Sequence, residues 1–225
     1  MEFFVNTAIT VFSIIMCLFI IGLVHELGHY FVARVILREP NVKITMGFFG
    51  KTIFDSKRFK INRIFFFGAY VGNYSDGETN RFFMVLLFLA GAFFQALLAI
   101  PIALYVSGGT LSLGDFFGFF QASPLRYDLL SLPLEHRGFV FPWLSLATPL
   151  DFFNVFLVNL RNINSFVILF ILLPYVYPLK LHGKKWHLNP SDGLWVLKFI
   201  FNKVSDKDAA NAAAAINEKA DTPEK

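Results

Sequence analysis

Five consecutive residues carry the clearest chemistry in this chain: His25-Glu26-Leu27-Gly28-His29. On a helix, positions i and i+4 lie one above the other, so both imidazoles can reach one zinc ion. A catalytic zinc takes three protein ligands and leaves its fourth position to water, whose pKa falls to about 7. Glu26, set between the histidines, is placed to accept a proton from that water and pass it to a leaving amine. The plain alternative is a chance match in which His25 and His29 merely pack, a risk that any motif carries. The apolar run in front of the motif weighs against it, because an ionisable cluster at membrane depth needs a metal or a partner to offset its burial.

The third ligand has to come from elsewhere, and the sequence offers Asp192, Asp76, Asp55, His182 and His187. Asp192 is preferred. It stands in Asn189-Pro190-Ser191-Asp192-Gly193, a turn that fixes a carboxylate at the start of a helix. A Ser-Asp pair here also reads as an ordinary helix cap, and Asp76-Gly77 repeats the dipeptide ahead of the second apolar run.

The elements that position these residues belong to a membrane. Of 225 residues, 56% are hydrophobic and 16% charged, far from the soluble average. Phe3 to Ala33 carries no Lys or Arg, and Phe82 to Val106 carries no charge at all; each can cross a hydrocarbon core of about 30 Å. A third span, expected over Phe156 to Tyr177, carries Asn159, Arg161, Asn162 and Asn164. Polar residues in a span usually face a protein interior or a wet cavity. The first run lacks a basic start and leads straight into the metal motif, so it reads as a retained span and not a cleaved leader. At 1.5 Å per residue it would make roughly 46 Å of helix, which puts the motif a few turns below the surface.

Charge is informative by position. From Arg34 to Arg81 there are nine Lys and Arg against four acids, from Gly108 to Leu150 two against three, and from Lys180 onward eight against six. Short basic segments stay cytoplasmic, so three spans put the middle loop outside and the active site toward the cytoplasmic side of a cell (inner) membrane. The cations are divided between loops with no nucleic-acid-binding motif, so no nucleic-acid partner is expected. Cys17 is alone and forms no intrachain disulfide.

Between the first two spans, Asn41 to Tyr74 alternates in Val42-Lys43-Ile44-Thr45-Met46 and Phe59-Lys60-Ile61-Asn62 and is punctuated by Gly47, Gly50, Gly68 and Gly72, which predicts short strands and hairpins. Gly108 to Pro142 has no clear period and suggests an interfacial or re-entrant loop. Ser191 can cap a short helix through Leu194, Trp195, Leu197 and Ile200. The fold expected is an all-α membrane protein of about three core spans with a small membrane-associated β-hairpin region. It forms one core from Met1 to Val204, with a polar tail from Ser205 to Lys225.

With these features assembled, the chain resembles the site-2 protease family of intramembrane zinc metalloproteases from about Ile20 to Val196. In that family the first core helix carries the His-Glu-x-x-His motif and a later Asp-Gly supplies the third ligand; the matching residues are His25, Glu26, His29 and Asp192. Phe67-Gly68-Ala69-Tyr70-Val71 is similar to its Gly-Gly-Tyr-Val strand, Gly91-Ala92-Phe93-Phe94-Gln95 to its Gly-Pro-x-x-Asn segment, and Leu172-Leu173-Pro174 to its Leu-x-Pro. The sequence departs from the pattern at Ile171, where the family has Asn, and at Gln95. An insertion containing Leu181-His182-Gly183-Lys184-Lys185-Trp186-His187 precedes Asp192.

The resemblance implies a zinc-dependent endopeptidase that cuts a membrane-protein substrate within or beside a transmembrane segment in the lipid bilayer. Asn189, Asn164 and Gln95 are its candidates for stabilising the oxyanion or positioning substrate. An unwound substrate could pair with Gly68, Ala69, Tyr70 and Val71 by strand addition; equally, those strands could form only a membrane-surface sheet. The main rival is a non-proteolytic metal-binding membrane protein of the same fold, against which an intact Glu26 argues. No regulatory domain is recognisable in the chain, so regulation would fall to a membrane partner.

Overall fold

The apolar run at the start of the chain is helical from Glu2 to Phe31 (α1) and continues as a π-helical turn, Val32–Ile36. Leu37 N–H donates to the Val32 carbonyl and Glu39 N–H to the Ala33 carbonyl, both at 3.0 Å, and Arg38 takes a positive φ of 58°. Pro40 follows and cannot continue a helix. The computed structural model describes residues 2–66, 68–72, 81–106, 149–174, 176–179 and 187–201. Asp76, His182, the 108–142 loop, the remainder of the insertion before His187 and the 205–225 tail lie outside them.

The segment after α1 makes four strands: β1 (Lys43–Met46), β2 (Thr52–Asp55), β3 (Phe59–Asn62) and β4 (Ala69–Gly72). Two helices follow, α2 (Arg81–Val106) and α3 (Pro149–Leu172). A two-stranded hairpin, β5 (Val176–Leu179) with β6 (His187–Pro190), then leads into the short helix α4 (Asp192–Ile200). The molecule is mostly helical with a small sheet. Among the described residues two helices are long and apolar enough to cross a membrane, Thr7–Ile36 and Phe82–Tyr105, and the apolar part of α3, Phe156–Leu172, is shorter.

The third long helix therefore differs from the span expected over Phe156 to Tyr177. The helix begins earlier, with Pro149 at a first helical position where its missing N–H costs nothing. It ends at Leu172, two residues before Pro174, and Tyr177 is in a strand. The expected hairpins also pair differently from a simple meander. The order is β2-β3-β1-β4: β1 is antiparallel to β4 but parallel to β3, and β2 is the antiparallel partner of β3.

The chain divides into two compact units. One comprises 1–21 and 95–169, and its apolar core is Cys17, Ile21, Ile102, Val158 and Leu160. The same unit buries Ser13, Gln95, Asn159, Arg161, Asn162, Asn164 and Ser165. Asn164 Nδ2 donates to the Gln95 carbonyl at 2.9 Å, Ser165 Oγ to the Arg161 carbonyl at 2.9 Å, and Arg161 Nε to Asn162 Oδ1 at 3.2 Å.

The other unit comprises 22–94 and 170–225 and holds both sheets, α4 and a cluster of Phe88, Val196 and Phe199. Its larger sheet buries Ile44, Thr45, Met46, Asn62 and Val71. Asn62 ties the β1 turn down, donating from Nδ2 to the Gly47 carbonyl at 2.7 Å while its Oδ1 accepts from Thr52 Oγ1 at 3.1 Å. Gly47 sits at φ 86°, a conformation that favours glycine.

Candidate metal centre

The last two turns of α1 present His25 and His29 on one face. Their rings meet edge to face with centroids 4.5 Å apart, and their Nε2 atoms are 2.9 Å apart. Both residues are buried. His29 Nδ1 lies 2.7 Å from the Leu87 carbonyl on α2. A carbonyl only accepts, so Nδ1 carries the hydrogen and the neutral ring turns the Nε2 lone pair toward His25.

Glycines bring α2 this close. A Cβ on Gly28 would stand 2.3 Å from the Ala90 carbonyl oxygen, and one on Gly91 would stand 2.3 Å from the His25 ring. Small residues let helices in a bilayer approach to backbone contact, and here that contact orients both imidazoles.

The third side chain arrives on α4. Ser191 performs the capping that the sequence also allowed for Asp192: its Oγ accepts from Leu194 N–H at 3.3 Å and donates to the Leu173 carbonyl at 2.6 Å. Asp192 is thereby left free to point elsewhere. Its Oδ2 lies 3.1 Å from His25 Nε2 and 3.3 Å from His29 Nε2. Gly193 is required by the same approach, since a Cβ there would fall 2.0 Å from the Leu172 carbonyl oxygen.

These three atoms fit a metal ion. Tetrahedral zinc with bonds of about 2.0–2.1 Å sets neighbouring ligand atoms about 3.3 Å apart; the separations here are 2.9, 3.1 and 3.3 Å. Asp192 Oδ2 is buried with no hydrogen-bond donor. A carboxylate oxygen meeting two imidazole lone pairs is a convergence of electron donors that a cation resolves. Among the described residues this is the one such cluster of His, Cys, Asp and Glu.

Glu26 is buried beside the histidines and accepts from the backbone N–H of Val71 on β4. The register explains why that N–H is available. Gly47 N–H bonds the Gly68 carbonyl at 2.7 Å, so in the antiparallel β1–β4 ladder the pairs alternate from there, and Ile44↔Val71 and Met46↔Ala69 are non-hydrogen-bonded. The N–H and C=O groups of Ala69 and Val71 consequently face the open edge of the sheet, away from β1.

Of the other residues singled out by sequence, Gln95 and Asn164 lie in the first unit, joined by the bond described above. Asn189 lies in β6 opposite Tyr177, and His187 in β6 opposite Leu179. Asp55 is ion-paired with Lys43 on the sheet. The Leu87 carbonyl was missed, and Val71 was singled out for strand pairing without its N–H contact to Glu26, because a backbone group carries no side-chain signature. Gly91 stood inside a recognised segment without its contact to His25 being foreseen.

A family model described as peptidase family M50 matches residues 13–169, which covers the two histidines and Glu26 and ends before Asp192. No curated protein and no solved structure matches the chain.

Proposed function

This chain belongs to peptidase family M50, the site-2 protease family of membrane metalloproteases, and from that premise we propose that it is a zinc-dependent intramembrane endopeptidase. The observation that carries the reading is the meeting of His25 Nε2, His29 Nε2 and Asp192 Oδ2 within 3.3 Å of one another, with Glu26 next to them in the chain. His25, His29 and Asp192 would hold the ion, and bound zinc would supply Lewis acidity toward the scissile carbonyl and acidify water.

The rest of the chemistry falls to the chain's own groups. Glu26 takes a proton from the attacking water on its carboxylate as the water oxygen bonds to the carbonyl carbon. It returns that proton to the amide nitrogen as the C–N bond breaks, leaving a carboxyl and an amine. The Val71 N–H holds the Glu26 carboxylate in place. The open edge of the sheet at Gly68, Ala69, Tyr70 and Val71 receives the unwound substrate as an added strand through main-chain bonds. Burial at the end of α1 keeps bulk water out, which strengthens every electrostatic interaction there.

The substrate is a segment of another membrane protein at or within the bilayer. The excess of cations from Arg34 to Arg81 supports an orientation with the sheet and the metal ligands toward the cytoplasmic side of a cell (inner) membrane. Gln95, Asn164 and Asn189 remain the amide side chains proposed for oxyanion stabilisation or substrate positioning.

The test is cleavage of a labelled single-span substrate by the purified chain in vesicles. Wild type should cut it, a chelator should stop it and added zinc restore it, while Glu26→Gln should bind zinc and not cut. Metal binding with no cleavage of any membrane substrate by wild type would favour a non-proteolytic metal-binding protein of the same fold.

A further inference from the structure

The edge of the sheet opposite β4 belongs to β2 and is built to refuse a further strand. The register slips between Thr52 and Phe54, and such an edge bulge interrupts strand addition. The slip leaves two consecutive large apolar side chains in the open: Ile53 is 62% exposed and Phe54 51%. Their surroundings are cationic. From Lys51 to Arg63 stand Lys51, Lys57, Arg58, Lys60 and Arg63, with Asp55 as the lone acid, and Asp55 is engaged by Lys43.

The cations bracket the apolar pair. At one end of the β2–β3 hairpin Arg63 N–H donates to the Lys51 carbonyl at 2.9 Å, which sets these two residues opposite each other. At the other end the turn is closed by Ser56 N–H to the Phe59 carbonyl at 2.9 Å and Phe59 N–H to Ser56 Oγ at 3.1 Å, and it carries Lys57 and Arg58. Ile53 and Phe54 lie between the two ends.

We propose that the β2–β3 hairpin docks on anionic lipid headgroups, with Ile53 and Phe54 immersed and Lys51, Lys57, Arg58 and Arg63 against the phosphates. Apolar side chains flanked by unneutralised cations match a negatively charged bilayer surface in both chemistry and sign. A nucleic acid would engage the cations and leave Ile53 and Phe54 in water. The proposal requires that the chain sit in a membrane but not that it cut peptides. Since β3 pairs with β1 and β1 with β4, docking at β2 steadies the sheet whose far edge contacts Glu26.

The test places an environment-sensitive fluorophore on Ile53→Cys in a Cys17→Ala background of the full chain. The protein is reconstituted in vesicles of phosphatidylcholine alone, or of phosphatidylcholine and phosphatidylglycerol in equal parts, and the label is quenched by nitroxide-bearing lipid. Quenching should be about threefold or more stronger in the anionic vesicles. That difference should vanish when Lys51, Lys57, Arg58 and Arg63 are all replaced by Gln, and should shrink with added salt in the unsubstituted hairpin. The salt arm stands on its own should the fourfold variant fail to fold. Equal quenching in the two vesicle types, whether deep in both or absent in both, would overturn the proposal.

Discussion

Two sets of polar side chains are buried in this molecule, and they satisfy their burial in opposite ways. In the unit of 1–21 and 95–169, Asn164 and Ser165 turn to backbone carbonyls and Arg161 turns to its neighbour Asn162. Donors meet acceptors, and hydrogen bonds made inside the protein offset what water no longer supplies. At the metal centre of the other unit His29 Nδ1 has such an anchor. His25 Nε2, His29 Nε2 and Asp192 Oδ2 converge on each other, acceptor against acceptor. The first arrangement is tied by donor–acceptor pairs; the second asks for a cation. Buried polar residues in a span announce function by default, and the pattern of donors and acceptors then separates a structural network from a reactive site.

The sharpest way to break this contrast is at Glu26, which holds no place among the converging atoms. Glu26→Gln keeps its shape and hydrogen-bonding capacity but removes the base, so cleavage should fall by about 10²–10⁴-fold with zinc content unchanged. Retained cleavage in a kinetic assay would remove Glu26 from its role. Gly91→Ala comes next. Its methyl meets the His25 ring at 2.3 Å, so zinc affinity should weaken by about 10–100-fold, as it does when outer supports of a ligand are disturbed; a competitive chelator titration measures it, and wild-type affinity would show that the helix contact does not orient the ligand.

The structural network should behave differently. Asn164→Ala removes the donor to the Gln95 carbonyl and should cost about 1–3 kcal/mol of stability, read as a lower midpoint in thermal unfolding, with one zinc per chain still bound. Loss of zinc in a folded variant would erase the distinction between the two sets. The smallest effect belongs to Ser191→Ala, where the lost cap should cost about 1 kcal/mol and loosen the helix start that holds Asp192. Zinc affinity unaltered in that variant would mean that Gly193 packing suffices.

Much of this was legible in the residues. His25-Glu26-Leu27-Gly28-His29 states its own chemistry because the helical repeat is short-range and its ligands are side chains. Alternation in Val42 to Met46 and Phe59 to Asn62 marked β1 and β3 for the same reason. The parallel pairing of those two strands was hidden, since register between segments is fixed by tertiary contacts and not by either segment's own pattern. The start of α3 at Pro149 was hidden by its weakly apolar first turns, and β5 and β6 by Pro178 and Pro190 within them. Asp192 was legible as a helix-start carboxylate but not as distinct from a cap; what distinguishes it is that Ser191 does the capping, a matter of hydrogen bonds that a dipeptide does not reveal.

The central claim is tested most directly by elemental analysis of zinc in the purified, detergent-solubilised chain, with wild type measured beside His25→Ala and Asp192→Ala. Three converging ligands predict about one zinc per wild-type chain and its loss in both variants. A folded wild type without zinc, or an Asp192→Ala chain that keeps it, would contradict the site as described.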